Sequence, residues 1–184
     1  PVAAETLERQ ARALLEDMQV AAFKVGVLGS VENVLAVAEI VSDYPDIPLI
    51  LDPVLASGRG DEFSGEEIIS AMREMLLPQT TLLTPNAPEA RRLAESDEDE
   101  SEPSIDTCAE RLIEMGAQYV LITGTHESTP EVVNTLYGAD GVIPGAADTI
   151  PLIIQDKTFV PGDEQLKDSV ATDDKGNPVT YGQD

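Results

Sequence analysis

LLTPNAPEARRLAE, residues 82–95, decides how the chain is read. An apolar pair, Leu82-Leu83, runs into Thr84-Pro85-Asn86, and a helical pattern begins at once. The spacing predicts a strand that ends where a helix starts. Asn86 and Glu89 stand at capping-box spacing, so a helix cap alone would account for both. Whether the junction also binds something depends on what the other strands carry at their ends.

The same alternation recurs on either side. Upstream, Glu5 to Met18 is amphipathic, with Leu7, Ala11, Leu14, Leu15 and Met18 at helical spacing. AAFKVGVLG (21–29) reads as a buried strand, and Ser30 as the cap of a helix carrying Val31, Val34, Leu35, Ala38 and Val41. IPLILD (47–52) is a second strand, stopped by Pro53 and followed by the glycine-rich ASGRGDEFSG (56–65). Ser64-Gly65-Glu66-Glu67 has capping-box spacing before a helix that runs to about Leu77. TTLLT (80–84) is the third strand, and its helix starts near Pro88. Beyond an acidic loop, SDEDESEPS (96–104), comes a helix over 105–115 ended by Gly116. YVLIT (119–123) is the fourth strand. Val132 to Tyr137 reads as a fifth, reached by a loop too short for a crossover helix, hence antiparallel or at an edge.

Short, continuously apolar strands separated by helices predict an α/β fold: a mostly parallel open sheet with helices on both faces. The expected domain spans 1–144. From 145 to 184 the amphipathic runs stop; PLIIQDKTFV (151–160) offers one possible strand, and the last twenty or so residues read as poorly ordered.

Charge narrows the functional classes. The chain has 184 residues, 35 of them acidic against 11 basic, for a net charge of -24. Such a surface repels nucleic acid and anionic membranes, so neither is an expected partner. Before the tail Lys24 is the only lysine, so a phosphate would rest on backbone N–H groups, helix N-termini or Mg²⁺. The acidic, lysine-poor composition suits high salt, where repulsion is screened, and equally an acidic protein of an ordinary cytoplasm. One cysteine, Cys108, excludes an internal disulfide and a cysteine zinc site, and one histidine, His126, argues against a Ser-His-Asp triad. No signal peptide and no membrane-length apolar run is read, so the expected compartment is the cytoplasm.

Right-handed crossovers bring all the parallel strands' carboxyl ends to one rim, where open α/β sheets bind ligands. Gly29-Ser30 follows the first strand, Asp52-Pro53-Val54 the second, Thr84-Pro85-Asn86 with Glu89 the third, and Thr123-Gly124-Thr125-His126 the fourth. Asp52 and Glu89 are the pair expected to hold hydrated Mg²⁺ beside a phosphate-bearing ligand. Each residue also has a plain explanation: Asp52 as a turn former, Asn86 and Glu89 as a cap, His126 as a surface residue. Their shared rim is what favours a site.

FKVGVLGS, LILDPVLASGRGDEF, LLPQTTLLTPNAPEARRLA and YVLITGTHESTPEVVNTLYG, in this order, resemble the hydroxymethylpyrimidine/phosphomethylpyrimidine kinases of thiamine biosynthesis, a family with the ribokinase-like fold. The resemblance covers about Pro1 to Gly141. It implies ATP- and Mg²⁺-dependent phosphorylation of a small pyrimidine and then of its monophosphate. By position it implies Asp52 and Glu89 at Mg²⁺, Asn86, Thr123 and Gly124 at the nucleotide, and Leu28 and Val54 at the pyrimidine. Thr123 stands where many members carry a lysine. Two family features have no counterpart in these residues: a Gly-Gly-Ala-Gly segment with an aspartate that opens the family's chains, and a Gly-(Thr/Ser)-Gly-Cys loop after the counterpart of Gly141. The loop's amides form the anion hole and its cysteine is the assigned catalytic residue, so no catalytic residue is expected here, and activity is expected to be weak or absent. IPLIIQDKTFVPGDEQL (150–166) is similar to a short multicopper oxidase segment without its His-x-His copper ligands. The alternative expectation is a non-catalytic fragment or fusion that self-associates or binds a partner through open sheet edges.

Overall fold

A computed structural model describes residues 2–55, 65–96, 101–124 and 133–143. The possible strand at 151–160, the loop around Arg59, His126 and the copper-oxidase-like stretch lie outside them.

The chain opens with helix α1 (Ala4–Asp17), whose predicted apolar face is only partly covered: Leu7 packs on the core, whereas Leu14 and Met18 are exposed. It lies against α2 and is tied to it by Arg12, which pairs with Glu8 of its own helix and with Asp43 of α2 at 2.7 Å. Strand β1 (Phe23–Val25) leads to α2 (Val31–Asp43), capped as predicted by Ser30, whose hydroxyl accepts from the Asn33 N–H. The buried face of α2 includes Val34, Val37, Ala38 and Val41.

Strand β2 (Leu49–Leu51) is followed, after the glycine-rich loop, by α3 (Glu66–Ala71). Its N-cap is Gly65, without a side-chain cap, so the capping box expected at Ser64–Glu67 is replaced by a backbone-only start. Nor does α3 reach Leu77 as one α-helix. Met72–Leu76 forms a π segment and Leu77–Gln79 a 3₁₀ turn. The wider π turn buries Met72 and Leu76 while Glu74 and Met75 face outward. Pro78, without an N–H, suits the tighter turn that follows.

Strand β3 (Leu82–Leu83) leads into α4 (Ala87–Ala94), and α5 (Ile105–Glu114) packs on α4. Gly116 ends α5 at φ 114°, and a Cβ there would press on Pro78 Cα. Strand β4 (Tyr119–Ile122) then pairs antiparallel with β5 (Thr135–Gly138), as the short connection predicted, and β5 with β6 (Gly141–Val142).

These six strands form one sheet in the order of the chain, β1 to β6, and β1 to β4 are parallel. The protein is thus an α/β structure with a mostly parallel sheet. Register separates its faces. Leu49, Leu51, Leu83, Val120 and Tyr137 are buried and share one core cluster with Val34, Met72, Leu76, Leu93 and Leu112. Each such fully buried aliphatic side chain contributes about 1.5–3 kcal/mol. The intervening Lys24, Ile50, Leu82, Tyr119 and Leu121 are half-buried or exposed. No helix among the described residues is long and apolar enough to cross a membrane.

Candidate functional site

Hydrogen bonds just past the parallel strands build the rim. The Asp52 N–H donates to Val25 O at 2.8 Å and the Thr84 N–H to Leu51 O at 2.9 Å. The Thr123 N–H donates to Pro85 O at 3.0 Å, and Asn86 and Thr123 form an isolated parallel bridge. So β2, β3 and β4 each deliver their first polar residues to adjacent places on one edge. Asp52 and Thr123 stand two strands away from each other on this edge.

The opening stretch behaves as its spacing required. Asn86 Oδ1 accepts from the Glu89 N–H, and Glu89 Oε2 accepts from the Asn86 N–H, both at 2.9 Å. This is a complete capping box, with proline inside the first turn. Both side chains stay half-exposed while satisfying the helix end. The cap aims α4's positive dipole end at the rim, beside the Thr123 backbone.

Asp52 is not alone. Lys24 Nζ meets its Oδ2 at 2.9 Å. Lys24 is well exposed, so the pair contributes under about 1 kcal/mol to stability. Its effect is local, since it sets one cation next to the rim carboxylate. The signal in the sequence was Lys24's isolation as the only lysine before the tail, but a contact 28 residues away has no periodicity to announce it.

Gly124 is buried, and its N–H lies 3.4 Å from Asn134 Oδ1. A Cβ at this position would collide with the Val133 carbonyl oxygen. Glycine is therefore required there by backbone packing alone. Leu28 is buried in the core cluster, with 8% of its surface exposed, and Val54 is half-buried beside the Asp52 turn. The loop carrying Leu28 is held by a residue the sequence reading missed. Asn33, only 3% exposed, donates its Nδ2 hydrogen to Leu28 O at 2.9 Å. An open groove of about 810 Å³ between the start of α2 and α3 shares only Gly29 and Ser30 with the rim positions.

Among the described residues, no group of three or more histidine, cysteine and carboxylate side chains is arranged to hold a metal ion. What the rim offers is two separate hard-oxygen donors, Asp52 and Glu89. A carboxylate has about four lone-pair directions, so one bond to Lys24 or to a backbone N–H does not exhaust it. That donor set fits a hydrated Mg²⁺ held through one or two carboxylates, and does not fit a soft or tightly caged metal.

Comparison with known proteins identifies the family. The profile of a family described as phosphomethylpyrimidine kinase matches residues 1–151. The hydroxymethylpyrimidine/phosphomethylpyrimidine kinase of Bacillus subtilis is 34% identical over 69% of this chain and 46% of its own length. A crystal structure of phosphomethylpyrimidine kinase from Clostridium difficile superposes with a TM-score of 0.66 at 26% identity, covering 77% of this chain and 61% of that one. The ADP complex of Bacillus subtilis pyridoxal kinase gives 0.64 at 28% identity, over 78% of this chain and 52% of that one. The chain spans about half the length of the curated relatives it matches.

Proposed function

The chain belongs to the phosphomethylpyrimidine kinase family, and from that premise we propose that it transfers phosphate from ATP to hydroxymethylpyrimidine and then to the resulting monophosphate. The observation that carries this reading is the bridge between Asn86 and Thr123. It joins the capped start of α4 to the end of β4, on the edge that also carries Asp52.

In this reading the N-terminus of α4 and the backbone at Thr123 and Gly124 border the nucleotide phosphates. Bound Mg²⁺, held by Asp52 and Glu89 through its waters, would offset phosphate charge during in-line transfer. Lys24 orients Asp52 through their 2.9 Å contact. Leu28 and Val54 contribute apolar surface to the pyrimidine. Thr123 gives a neutral contact where a lysine would give a charged one. The chemistry itself asks little of side chains beyond positioning, which suits a rim with no assigned catalytic base. We propose further that these 184 residues by themselves turn over slowly, since no Gly-(Thr/Ser)-Gly-Cys sequence follows Gly141 in them.

The test uses the purified chain in two steps. Thermal unfolding is followed with ATP, with Mg²⁺ and with both, and ADP release is then measured with hydroxymethylpyrimidine present. The expected result is stabilisation by Mg²⁺ and ATP together, beyond either alone, with slow substrate-dependent ADP release. No joint stabilisation, with oligomers that grow with concentration, would overturn the kinase reading in favour of a self-associating module.

A further inference from the structure

Helix α4 packs on α5 and is also held at both of its ends. It has only eight residues, too few to be stable alone in water. Its buried residues are Ala87, Ala90, Leu93 and Ala94. Small alanine side chains interlock little with a neighbour, so they resist sliding along the helix axis weakly. The pairs Arg91–Glu102 and Arg92–Glu66 add to its hold, and contacts at the two ends help to set its position along that axis.

At the N-terminal end it is set by the capping box and the Thr123–Pro85 hydrogen bond. The other end uses a different device. The last carbonyls of a helix have no partner within it, and α4 has no left-handed glycine to close them; its C-cap is Glu95. Two arginines from other elements serve instead. Arg73, in the π segment, donates from Nε to Leu93 O at 2.8 Å and from Nη2 to Arg92 O at 2.6 Å. Arg111, in α5, donates from Nη1 to Ala94 O at 3.0 Å. Three successive carbonyls are thereby bound to two guanidiniums. The planar fork of Arg73 spans two adjacent carbonyls, which an ammonium cannot do with the same geometry, and positive charge is favourable at this end of a helix.

We propose that Arg73, supported by Arg111, is a positioning residue for the rim site. By pinning the far end of α4 it fixes, along the helix axis, the first turn that carries Asn86 and Glu89. A short helix moves as a rod, so slip at Leu93 is slip at Glu89. The inference rests on the reading of the rim as a Mg²⁺-nucleotide site, and it assigns a role to a residue at the opposite end of the helix from the ligand.

The experiment compares Arg73→Met, Arg73→Lys and a core control, Ile69→Val, in the full chain. The control removes one buried methylene and lowers stability modestly without touching the pins. The first readout needs no nucleotide: amide hydrogen exchange at Glu89, whose N–H is held by Asn86. Arg73→Met is expected to speed it about tenfold while β2 and β3 amides keep their protection, with Arg73→Lys in between. The second readout is Mg²⁺ affinity at saturating ATP, well below the unfolding temperature. It is expected to weaken about tenfold in Arg73→Met and to stay nearly native in Ile69→Val. Unchanged exchange at Glu89 in Arg73→Met, or Mg²⁺ affinity that merely follows stability across the three variants, would overturn the proposal. A native chain that takes up no Mg²⁺ with ATP overturns the kinase reading instead, and exchange at Glu89 still decides whether Arg73 holds the helix's first turn.

Discussion

At the scale of single residues, Asn86 and Glu89 form a capping box, and the proposed function gives the same pair of side chains a second task. The cap was legible because it is a local rule, written within four residues. Its partners on the rim were legible only in so far as strand ends are. The substitution that separates the roles is Glu89→Gln, because glutamine also serves a capping box but carries no charge. It is expected to cost under about 0.5 kcal/mol of stability, while Mg²⁺-dependent ATP binding falls about tenfold. Asn86→Ala, by contrast, should cost about 1 kcal/mol through the lost cap. Calorimetric titration and urea unfolding read the two effects apart, and native Mg²⁺ binding by Glu89→Gln would reduce Glu89 to a cap. The contacts the sequence hid include those between distant residues: Lys24 with Asp52, and Arg73 with the end of α4. A side chain that reaches across 20 residues leaves no pattern in the residues around it.

At the scale of elements, hydrophobic pattern found the helices and strands β1 to β5, but not the end of α3 as an α-helix at Ala71. It also missed β6, which no apolar run announces. Strand β6 has two residues, and its turn at Ala139-Asp140 leads to Gly141 at φ 95°. The π segment was invisible for another reason: an added residue in one helical turn shifts the apolar stripe without interrupting it. Between elements, the contact from β5 to α5 has a measurable signature. Tyr137 donates its hydroxyl hydrogen to Asp106 Oδ1 at 2.7 Å. Burial, and then this bond, push the tyrosine's ionisation well above its usual range. The fold thus holds a proton that the unfolded chain releases above about pH 10. Stability from this contact is therefore complete below that pH and is lost as pH rises beyond it. Tyr137→Phe should be about 1 kcal/mol less stable near pH 8, and the gap should narrow as pH rises from 9 to 11. Urea midpoints across that range decide it, and parallel curves for the two proteins would exclude the mechanism.

At the scale of the whole molecule, the α/β layering was readable because each crossover leaves its own signature, and the family because several motifs stand in register. Candidate ligand-lining residues were less readable, since the same Asp, Asn and Gly types also serve turns, caps and close packing, as Gly124 shows. Net charge is the molecule's most unusual bulk property. A charge of -24 on 184 residues repels itself in the folded state more than in the expanded one. Raising KCl from 0.1 to 1 M shortens the screening length from about 10 to about 3 Å. The unfolding temperature is expected to climb over that interval, most of the rise coming before 1 M. A flat response would mean that the carboxylates are already spaced widely enough not to matter.

The order of the strands has a consequence for how the protein comes into being. Each described strand after β1 hydrogen-bonds to the strand that precedes it in the chain. Among the described strands, none is inserted between two that were made earlier. The sheet can therefore grow from one side only, in the direction in which a ribosome releases the polypeptide, each new strand finding its docking edge already formed. Loops to be closed stay short at every stage, which keeps the entropic cost of each addition low and leaves a single growing edge to be shielded at any moment.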